Sequence, residues 1–386
     1  MRVLHVISAA RPGDGITEVV KNIASSIDRG EFEISLCSLQ GRGDGATDFE
    51  RIGCRVFALN AKSSTSPKYV FQNIYTVWQL ARLIRAERFD VIHTHELFSG
   101  TLGRIAGWLA GAPVIILSLH NTDFWKRRHH ILIDRLLSRV THKIVANSEA
   151  VKQFTTEHER IPPEKFVVIH NGIDISRFGR EKDGDQFRQE YGIKPLEIVV
   201  GTVGRLAEQK GQRYFIEAAR IICDQRKEVK FVIVGGDTGH PKESVKEELY
   251  QQVKGLGLED VVIFTGLRRD LPQIMAGFDI FVLPSLWEGF GLAVAEAMAA
   301  GKPVVASRIP AVSEVVEEGE SGILVHPGDA EAIAKAVLEL VDSPEKALAM
   351  GEVGRRRVEE IFSSKTMTKE YEALYCQLFA KAGVSR

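Results

Sequence analysis

Two glutamates in the C-terminal half of the chain have the spacing and surroundings of ligand-binding carboxylates. Glu288 lies in the glycine-rich stretch "WEGFG", and Glu296 follows in an apolar, helix-forming stretch. Gly289 and Gly291 let the backbone approach a ligand closely. A carboxylate about one turn inside the helix can accept hydrogen bonds from a vicinal diol such as ribose. Either glutamate alone could be a solvated or dipole-stabilising charge, but the combination with the glycines favours a ligand site.

A second set of residues places two cations next to glycines. In "GTVGRLAEQKG", Arg205 and Lys210 follow Gly204 at the predicted end of a strand and precede a predicted helix. Cations in this position, with backbone N–H groups and the helix dipole, form an anion site. An ordinary pair of surface cations is the alternative interpretation.

The first loop of the chain is also rich in glycine. Gly13 and Gly15 lie between the first predicted strand and its helix, in "AARPGDGITEVV". The match to GxGxxG is partial, because Glu18 occupies the third glycine position, and no acidic residue ends the second strand. This pattern therefore disfavours a nicotinamide dinucleotide site.

Histidines end two predicted strands of the N-terminal half. His120 ends "VIILSLH", and His93 and His95 lie in "FDVIHTH". A histidine at a strand end could donate a hydrogen bond to a substrate or leaving group, or it could be a satisfied structural residue. The stretch "HTHE" has no HExxH or other metal-ligand spacing, so no metal site is predicted.

The elements that must position these residues alternate between short apolar stretches and amphipathic ones, which indicates α/β folding with parallel sheets. The alternation of predicted strands and helices stops at a polar segment and begins again after it. We therefore predict an N-terminal domain at 1–172, a linker at 173–194 and a C-terminal domain at 195–364. A final amphipathic helix is predicted at about 365–386. The predicted strands are 3–8, 33–39, 55–59, 91–93, 114–119, 143–146, 166–169, 198–203, 230–234, 261–265, 280–283, 304–306 and 322–325.

Composition excludes several classes of protein. The chain has 386 residues, a net charge of −1 and 44% apolar residues, so it can bury two cores and has no global field that attracts nucleic acid. Its four cysteines show no CxxC spacing, which favours a reduced compartment. The first ten residues read as a strand rather than a signal peptide, and the longest uncharged stretch, 105–119, is too short to span a membrane. We expect a cytoplasmic protein.

One segment is both basic and apolar. Phe124–Val140 reads "FWKRRHHILIDRLLSRV" and combines lysine and arginines with Trp125, Ile131, Leu132 and Leu136. It could contact an anionic membrane, at the inner face of the cell membrane, or be a surface helix with its apolar side inward.

Together these motifs resemble a known family. The stretches "EGFGLAVAEAMAAGKPVVAS", "GTVGRLAEQKG", "VIHNGID" and "GDGITEVV" are similar in kind and order to the signature of retaining glycosyltransferases of family 4, or glycosyl transferases group 1. The resemblance covers essentially the whole chain. It implies the GT-B fold, in which two doubly wound, Rossmann-like parallel-sheet domains face each other across a cleft and the C-terminal helix crosses back to the first domain.

The resemblance also implies roles for individual residues. Arg205 and Lys210 would hold the diphosphate of a nucleotide-sugar donor, and Glu296 its ribose. Glu288, with backbone N–H groups of Gly289–Leu292, would hold the sugar and distal phosphate. The catalytic positions would be His120, Arg205, Lys210 and Glu288, and the remaining donor-binding positions would be Gly15, Gly204, Leu267, Gly289, Phe290, Gly291 and Leu292.

The implied reaction is transfer of a hexose from UDP- or GDP-sugar to an acceptor hydroxyl with retention, in cell-surface glycan or glycolipid synthesis. The departing phosphate would take the acceptor proton, and no metal or other cofactor would be required. The acceptor could be a glycan, a lipid-linked glycan or a small molecule. The alternatives are a nucleotide-sugar epimerase and a catalytically silent nucleotide-sugar-binding protein.

Two positions depart from the family pattern. Asp14 stands where a second glycine is frequent, and a carboxylate beside a diphosphate is unfavourable unless it turns away or meets the acceptor. Ala293 replaces a frequent proline at a helix start, where proline mainly presets backbone φ, so this change is mild.

Overall fold

A computed structural model describes residues 1–62, 70–179, 183–237 and 244–383. The chain divides into two compact units. Unit 1 comprises Met1–Gly172 and Ser364–Arg386, and unit 2 comprises Ile173–Ser363.

Unit 1 contains a seven-stranded parallel sheet with strand order β3-β2-β1-β4-β5-β6-β7. Buried Val, Ile and Leu side chains dominate its central strands, as is typical of parallel sheets covered on both faces. The strands are β1 Arg2–Ile7, β2 Glu33–Ser38, β3 Arg55–Ala58, β4 Val91–His95, β5 Val114–Leu119, β6 Lys143–Ala146 and β7 Phe166–Val168. The helices between them are α1 Gly15–Ser26, α2 Ala46–Arg51, α3 Val70–Glu87, α4 Leu97–Ala110, α5 Arg128–Leu137 and α6 Glu149–Glu159.

Unit 2 contains a six-stranded parallel sheet with strand order β10-β9-β8-β11-β12-β13. Its strands are β8 Ile198–Val203, β9 Val229–Val234, β10 Val262–Gly266, β11 Ile280–Leu283, β12 Val304–Ser307 and β13 Ile323–Val325. Its helices are α7 Asp185–Glu190, α8 Gln212–Gln225, α9 Lys246–Gly255, α10 Leu271–Gly277, α11 Leu292–Ala299, α12 Pro310–Val315, α13 Ala330–Asp342 and α14 Pro344–Glu360.

The final helix of the chain, α15 Ser364–Lys381, belongs to unit 1 and not to the unit that precedes it in sequence. It packs against α1 and β5. The sulfur of Met367 accepts a hydrogen bond from Gly172 N–H, and Tyr371 and Tyr375 are buried beneath the sheet. The expected return of the last helix to the first domain is confirmed.

All the predicted strands are present, with ends that differ by one or two residues. The largest difference is β4, which was predicted to end at His93 and continues to His95. The continuation looks polar in sequence, but Thr94 and His95 are fully buried and hydrogen-bonded within the sheet region. The prediction of two doubly wound parallel-sheet domains is confirmed.

Residues 173–194 were predicted as a linker, and the described part of this segment packs into unit 2. Ile173, Phe178, Phe187 and Ile193 are at most 6% exposed and belong to the core on one side of the sheet. These widely spaced apolar residues lie in an otherwise polar stretch, so the average composition of the segment conceals them.

Candidate functional site

The glycine-rich loops of unit 2 meet where its strand order reverses. Strands β8 and β11 are neighbours, but the connections that leave them continue toward opposite edges of the sheet. Ligands of doubly wound sheets bind outside the carboxyl ends of the strands at such a switch point. The loops at this point, 204–211 and 284–291, contain most of the residues that the sequence predicts as a site.

Hydrogen bonds join the two loops directly. Leu286 N–H donates to the carbonyl oxygen of Gln209 at 2.8 Å, and the Gln209 side-chain amide donates to the carbonyl oxygen of Trp287 at 2.9 Å. Gly211 packs so closely on the end of β11 that an added Cβ would lie 2.0 Å from the oxygen of Pro284. Glycine is therefore required there, both for its φ of 63° and for this approach.

A buried ion pair lies where the loops meet. The Lys210 ammonium contacts Glu288 Oε1 at 2.5 Å, and Ser285 Oγ donates to the same oxygen at 2.8 Å. The Glu288 side chain is 8% exposed and that of Lys210 is 19% exposed. The sequence predicts both residues but not their contact, which holds the ammonium against the carboxylate. Within the described parts of the chain this contact uses one of the three ammonium donor positions, so two are left for a ligand.

Two helix N-termini at this switch point have no side-chain cap. Gly211 precedes α8 and Gly291 precedes α11, both in the left-handed region with φ of 63° and 92°. The first N–H groups of a helix have no partner within the helix, and together with the helix dipole they favour a bound anion. The side chain of Phe290 is 2% exposed and packs edge-on against Phe362, so only the backbone of this residue could take part.

The other predicted residues of unit 2 lie at the same end of the sheet. Arg205 is exposed, and among the described residues no ion pair or side-chain hydrogen bond reaches its guanidinium. A Cβ on Gly204 would lie 3.2 Å from the Lys210 side chain. Leu267 follows β10 and is 67% exposed, and Glu296 is partly buried in α11.

The first loop of unit 1 shows where the carboxylate of Asp14, which would be unfavourable beside a diphosphate, is directed. Its carboxylate accepts hydrogen bonds from the backbone N–H and the hydroxyl of Thr17, each at 3.2 Å, and caps α1. Gly15 is the first residue of that helix. The carboxylate is therefore turned toward its own helix, a common N-cap arrangement.

His120 lies just beyond β5 and is joined to two other histidines. Its Nε2 is 2.9 Å from Nδ1 of His95, and Nε2 of His95 is 3.0 Å from Nδ1 of His5. Burial lowers the pKa of His5 to about 3 and that of His120 to about 4, and it lowers the pKa of His95 well below its usual range. All three rings are therefore neutral near pH 7.

A fourth histidine stacks in the same group but has different partners. His93 Nδ1 is 2.7 Å from the Tyr375 hydroxyl of α15, and its Nε2 is 2.7 Å from Ser118 Oγ. One ring nitrogen from each of His5, His93 and His95 could in principle reach a common metal ion, because these atoms lie within 4.8 Å of one another. Five of their six ring nitrogens, however, already have hydrogen-bond partners.

Sequence reasoning missed several residues of these sites. Glu96, at the switch point of unit 1, has φ of 57° and ψ of −175°, a conformation that is strained for any residue but glycine. Its Oε1 accepts from Ser8 N–H at 3.1 Å, and burial raises its carboxyl pKa. Ser285 and His5 were also missed, since neither belongs to a recognisable motif. A signal for His5 was available, because it pairs with His93 in the register of β1 and β4, and paired side chains lie on the same face of the sheet.

Comparison with known protein families gives two matches that together span most of the chain. Residues 13–177 match the family described as Glycosyltransferase Family 4, and residues 183–357 match the family described as Glycosyl transferases group 1. Each match begins and ends near the limits of one structural unit.

Individual proteins are similar over most of their length. The chain is 31% identical over 282 residues to UDP-Gal:alpha-D-GlcNAc-diphosphoundecaprenol alpha-1,3-galactosyltransferase of Escherichia coli, covering 71% of this chain and 72% of that protein. It is 27% identical to N-acetyl-alpha-D-glucosaminyl L-malate synthase of Bacillus anthracis, covering 77% of each. Among solved structures, Anabaena HepE in complex with UDP and glucose has a TM-score of 0.85 at 26% identity, covering 97% of this chain and 99% of HepE.

Proposed function

The chain belongs to family 4 of the glycosyltransferases, with the GT-B fold, and is an enzyme of the hexosyltransferase class; from this premise we propose that it transfers a hexose from a UDP-sugar to an acceptor hydroxyl with retention, in glycan synthesis. The observation that carries the proposal is the meeting of two loops at the switch point of unit 2. There the Lys210 ammonium contacts the buried carboxylate of Glu288, and α8 and α11 begin after Gly211 and Gly291. Arg205 is exposed in the same loop as Lys210.

The choice of UDP rests on similar proteins together with the site. HepE was crystallised with UDP and with UDP-glucose, and the name of the E. coli relative specifies UDP-galactose. We assign the diphosphate to Arg205, Lys210 and the N–H groups at the start of α11, and the ribose to Glu296. Leu267 would border the base, and Glu288 would accept a hydrogen bond from the sugar.

The reaction proposed for these groups needs no protein nucleophile. The bond from C1 of the sugar to the phosphate oxygen breaks, and the acceptor oxygen bonds to C1 on the same face. The acceptor proton passes to the departing phosphate oxygen. Arg205, Lys210 and the helix N-termini stabilise the negative charge that develops on the diphosphate, so a divalent metal is not required for that task.

A surface of unit 1 favours a lipid-linked acceptor. Trp125, which precedes α5, is 61% exposed, and Leu132 and Leu136 of α5 are 57% and 51% exposed. These apolar side chains therefore do not face inward. The basic helix is also shorter than the predicted 124–140, since α5 begins at Arg128 and ends at Leu137. Arginines 127, 128, 135 and 139 are exposed around these apolar side chains.

One of the predicted surface cations is instead buried. The Lys126 side chain is 5% exposed, and its ammonium contacts Asp134 at 3.0 Å and Glu159 at 2.6 Å. Asp134 also pairs with the fully buried Arg104. Lys126 therefore anchors the segment before α5 and does not contribute to the charge of the surface.

Helices near α5 also carry exposed apolar side chains. Helix α3 packs on α4, and α4 packs on α5. Trp108 of α4 is 60% exposed. The apolar residues exposed on α3 are Phe71 at 81%, Ile74 at 60%, Tyr75 at 56% and Trp78 at 50%. The acidic residues of these helices are Glu87, paired with Arg2 and Arg55, and the buried Asp134. Exposed aromatics and arginines without exposed acids fit an anionic bilayer surface. Among the described residues, no helix is long and apolar enough to cross a membrane.

Turnover with a donor panel tests the proposed activity. Purified chain is incubated with UDP-glucose, UDP-galactose, UDP-N-acetylglucosamine or GDP-mannose and a lipid-linked or soluble acceptor, and nucleotide release and the product anomer are measured. We expect a UDP-sugar to be used and the product to keep the donor's α configuration. Glu288→Ala should lose transfer, while the control Glu320→Ala, an exposed position of unit 2, should not.

The alternative functions give different results in the same assay. Solvent deuterium entering the donor without an acceptor would indicate an epimerase. Tight donor binding without nucleotide release would indicate a silent binding protein, and an inverted product would reject retention.

Vesicle binding tests the membrane surface. We expect the chain to co-sediment with vesicles of phosphatidylglycerol and phosphatidylcholine at low salt, but not with phosphatidylcholine alone. Trp125→Ser with Leu132→Ser should weaken this binding, whereas Leu348→Ser, a 70% exposed leucine of unit 2, should not. Equal binding by all variants would reject the surface, and transfer to water-soluble acceptors alone would favour a small-molecule substrate.

A further inference from the structure

The three linked histidines of unit 1 form a hydrogen-bonded chain that ends at His120. His5, on β1, and His95, on β4, are fully buried, whereas His120 beyond β5 is partly exposed. The rings of His95 and His120 stack with centroids 5.2 Å apart, and those of His5 and His95 with centroids 5.3 Å apart. His95 uses both of its ring nitrogens within this chain.

The number of protons allows two arrangements of the hydrogen bonds among the three histidines. A neutral imidazole has one N–H donor and one bare nitrogen, and each N···N contact needs one proton between its atoms. If His95 carries its proton on Nδ1, His120 must accept at Nε2 and carry its own proton on Nδ1. If His95 carries it on Nε2, every proton moves to the other nitrogen. The direction of one bond therefore fixes the tautomers of all three rings.

The end of the chain at His5 favours one arrangement. Nε2 of His5 is buried and has no hydrogen-bond partner in the described part of the chain. This atom is a bare acceptor if His95 carries its proton on Nδ1, and it is an N–H donor if His95 carries its proton on Nε2. A buried N–H without a partner is rarer and less well tolerated than a buried acceptor without one. His5 should therefore donate from Nδ1 to His95, and His95 should donate from Nδ1 to His120.

We propose that His5 and His95 are positioning residues which hold His120 in the tautomer that carries a proton on Nδ1, so that this N–H can donate a hydrogen bond to an oxygen atom of a bound substrate. No described residue accepts a hydrogen bond from this nitrogen. The substrate role of His120 rests on the proposed function, whereas the tautomer does not. An imidazole N–H that is already oriented loses less conformational freedom when substrate binds than the N–H of a ring that is free to rotate.

Nitrogen NMR of the full chain labelled with ¹⁵N-histidine tests the tautomer without requiring any activity. We expect His120 to show a protonated Nδ1 and a bare Nε2 at pH 7.5. In His95→Leu the inward hydrogen bond is lost, so the His120 ring can rotate and its tautomers should mix. A protonated Nε2 on His120 in the unmutated chain, or an unchanged His120 spectrum in His95→Leu, would overturn the proposal.

Kinetics with the preferred donor test the consequence. His95→Leu should lower kcat about three- to tenfold, the value of one hydrogen bond, with little change in the donor KM. His95→Asn should retain most of the activity, because its amide nitrogen can replace Nδ1 as the donor to His120. His93→Gln is the matched control, since His93 is equally buried in the stack but bonds to Tyr375 and Ser118.

The outcomes separate the two proposals. Equal loss of kcat in His93→Gln and His95→Leu would reduce the histidines to a structural role and reject the positioning role. The expected tautomer without sugar transfer by the unmutated chain would reject the proposed function, and with it the substrate contact of His120, and leave only the tautomer assignment.

Discussion

The Lys210–Glu288 pair should respond asymmetrically when one partner is removed. Lys210→Met leaves the Glu288 carboxylate, 8% exposed, with Ser285 Oγ as its described partner. Stranding a buried charge costs about 3–5 kcal/mol of unfolding free energy. Glu288→Gln leaves the ammonium of Lys210, which at 19% exposure is better hydrated and can still donate to the amide oxygen, so we expect a cost of about 1–2 kcal/mol.

The double variant measures the interaction itself. Lys210→Met with Glu288→Gln removes both charges and leaves no stranded ion. Its cost should fall short of the sum of the two single costs by about 2 kcal/mol, well above the roughly 0.5 kcal/mol scatter of independent sites.

Urea unfolding in the absence of ligand is the assay for this cycle. Trp287 is the tryptophan of unit 2, and its fluorescence reports that unit when the three tryptophans of unit 1, at positions 78, 108 and 125, are replaced by phenylalanine. Additive costs, or a Lys210→Met cost no larger than that of Glu288→Gln, would refute the reasoning from burial.

Three further results are expected. Glu296→Ala should weaken UDP binding about tenfold or more and leave pyrophosphate binding unchanged in calorimetric titrations, because the lost contact is to ribose; equal weakening of both would contradict this assignment. Asp134→Asn should lower the unfolding free energy by about 3–5 kcal/mol in urea, since Lys126 and Arg104 lose a buried counter-charge; an unchanged midpoint would contradict it. The pKa of His5 is about 3 and that of His120 about 4, so the unfolded chain binds more protons than the native one between these values and 6.5. Stability should therefore be full above pH 6.5 and fall as pH drops toward 4, more steeply than in His5→Phe; identical slopes in thermal unfolding would contradict this.

The fold could be predicted from sequence because it depends on repeated local patterns. Val/Ile/Leu stretches separated by amphipathic segments specify parallel strands and helices wherever they occur, and the restart of the series marked the second sheet. The segment at 173–194 was harder, because burial of Phe178 and Phe187 depends on a distant core and not on local composition.

The site could be predicted as a set of positions but not as a set of contacts. Glycines and cations at strand ends reveal a ligand site, whereas the ion pair between Lys210 and Glu288 joins residues 78 apart in sequence. The role of Asp14 as a helix cap and the burial of Lys126 also depend on tertiary geometry. The sequence revealed only part of the hydrogen-bonded group of histidines. The tautomer assignment depends on Nε2 of His5, which is buried without a hydrogen-bond partner among the described residues, and the sequence does not show this.

Calorimetric titration of UDP and of uridine tests the central claim that unit 2 binds a nucleoside diphosphate through the loop of Arg205. The unmutated chain should bind UDP at least about tenfold more tightly than uridine. Arg205→Ala should weaken UDP binding about 10- to 100-fold, the range of one hydrogen bond to a charged group, and leave uridine binding unchanged. Equal UDP affinity in the two proteins, or no UDP binding by the unmutated chain, would contradict the account.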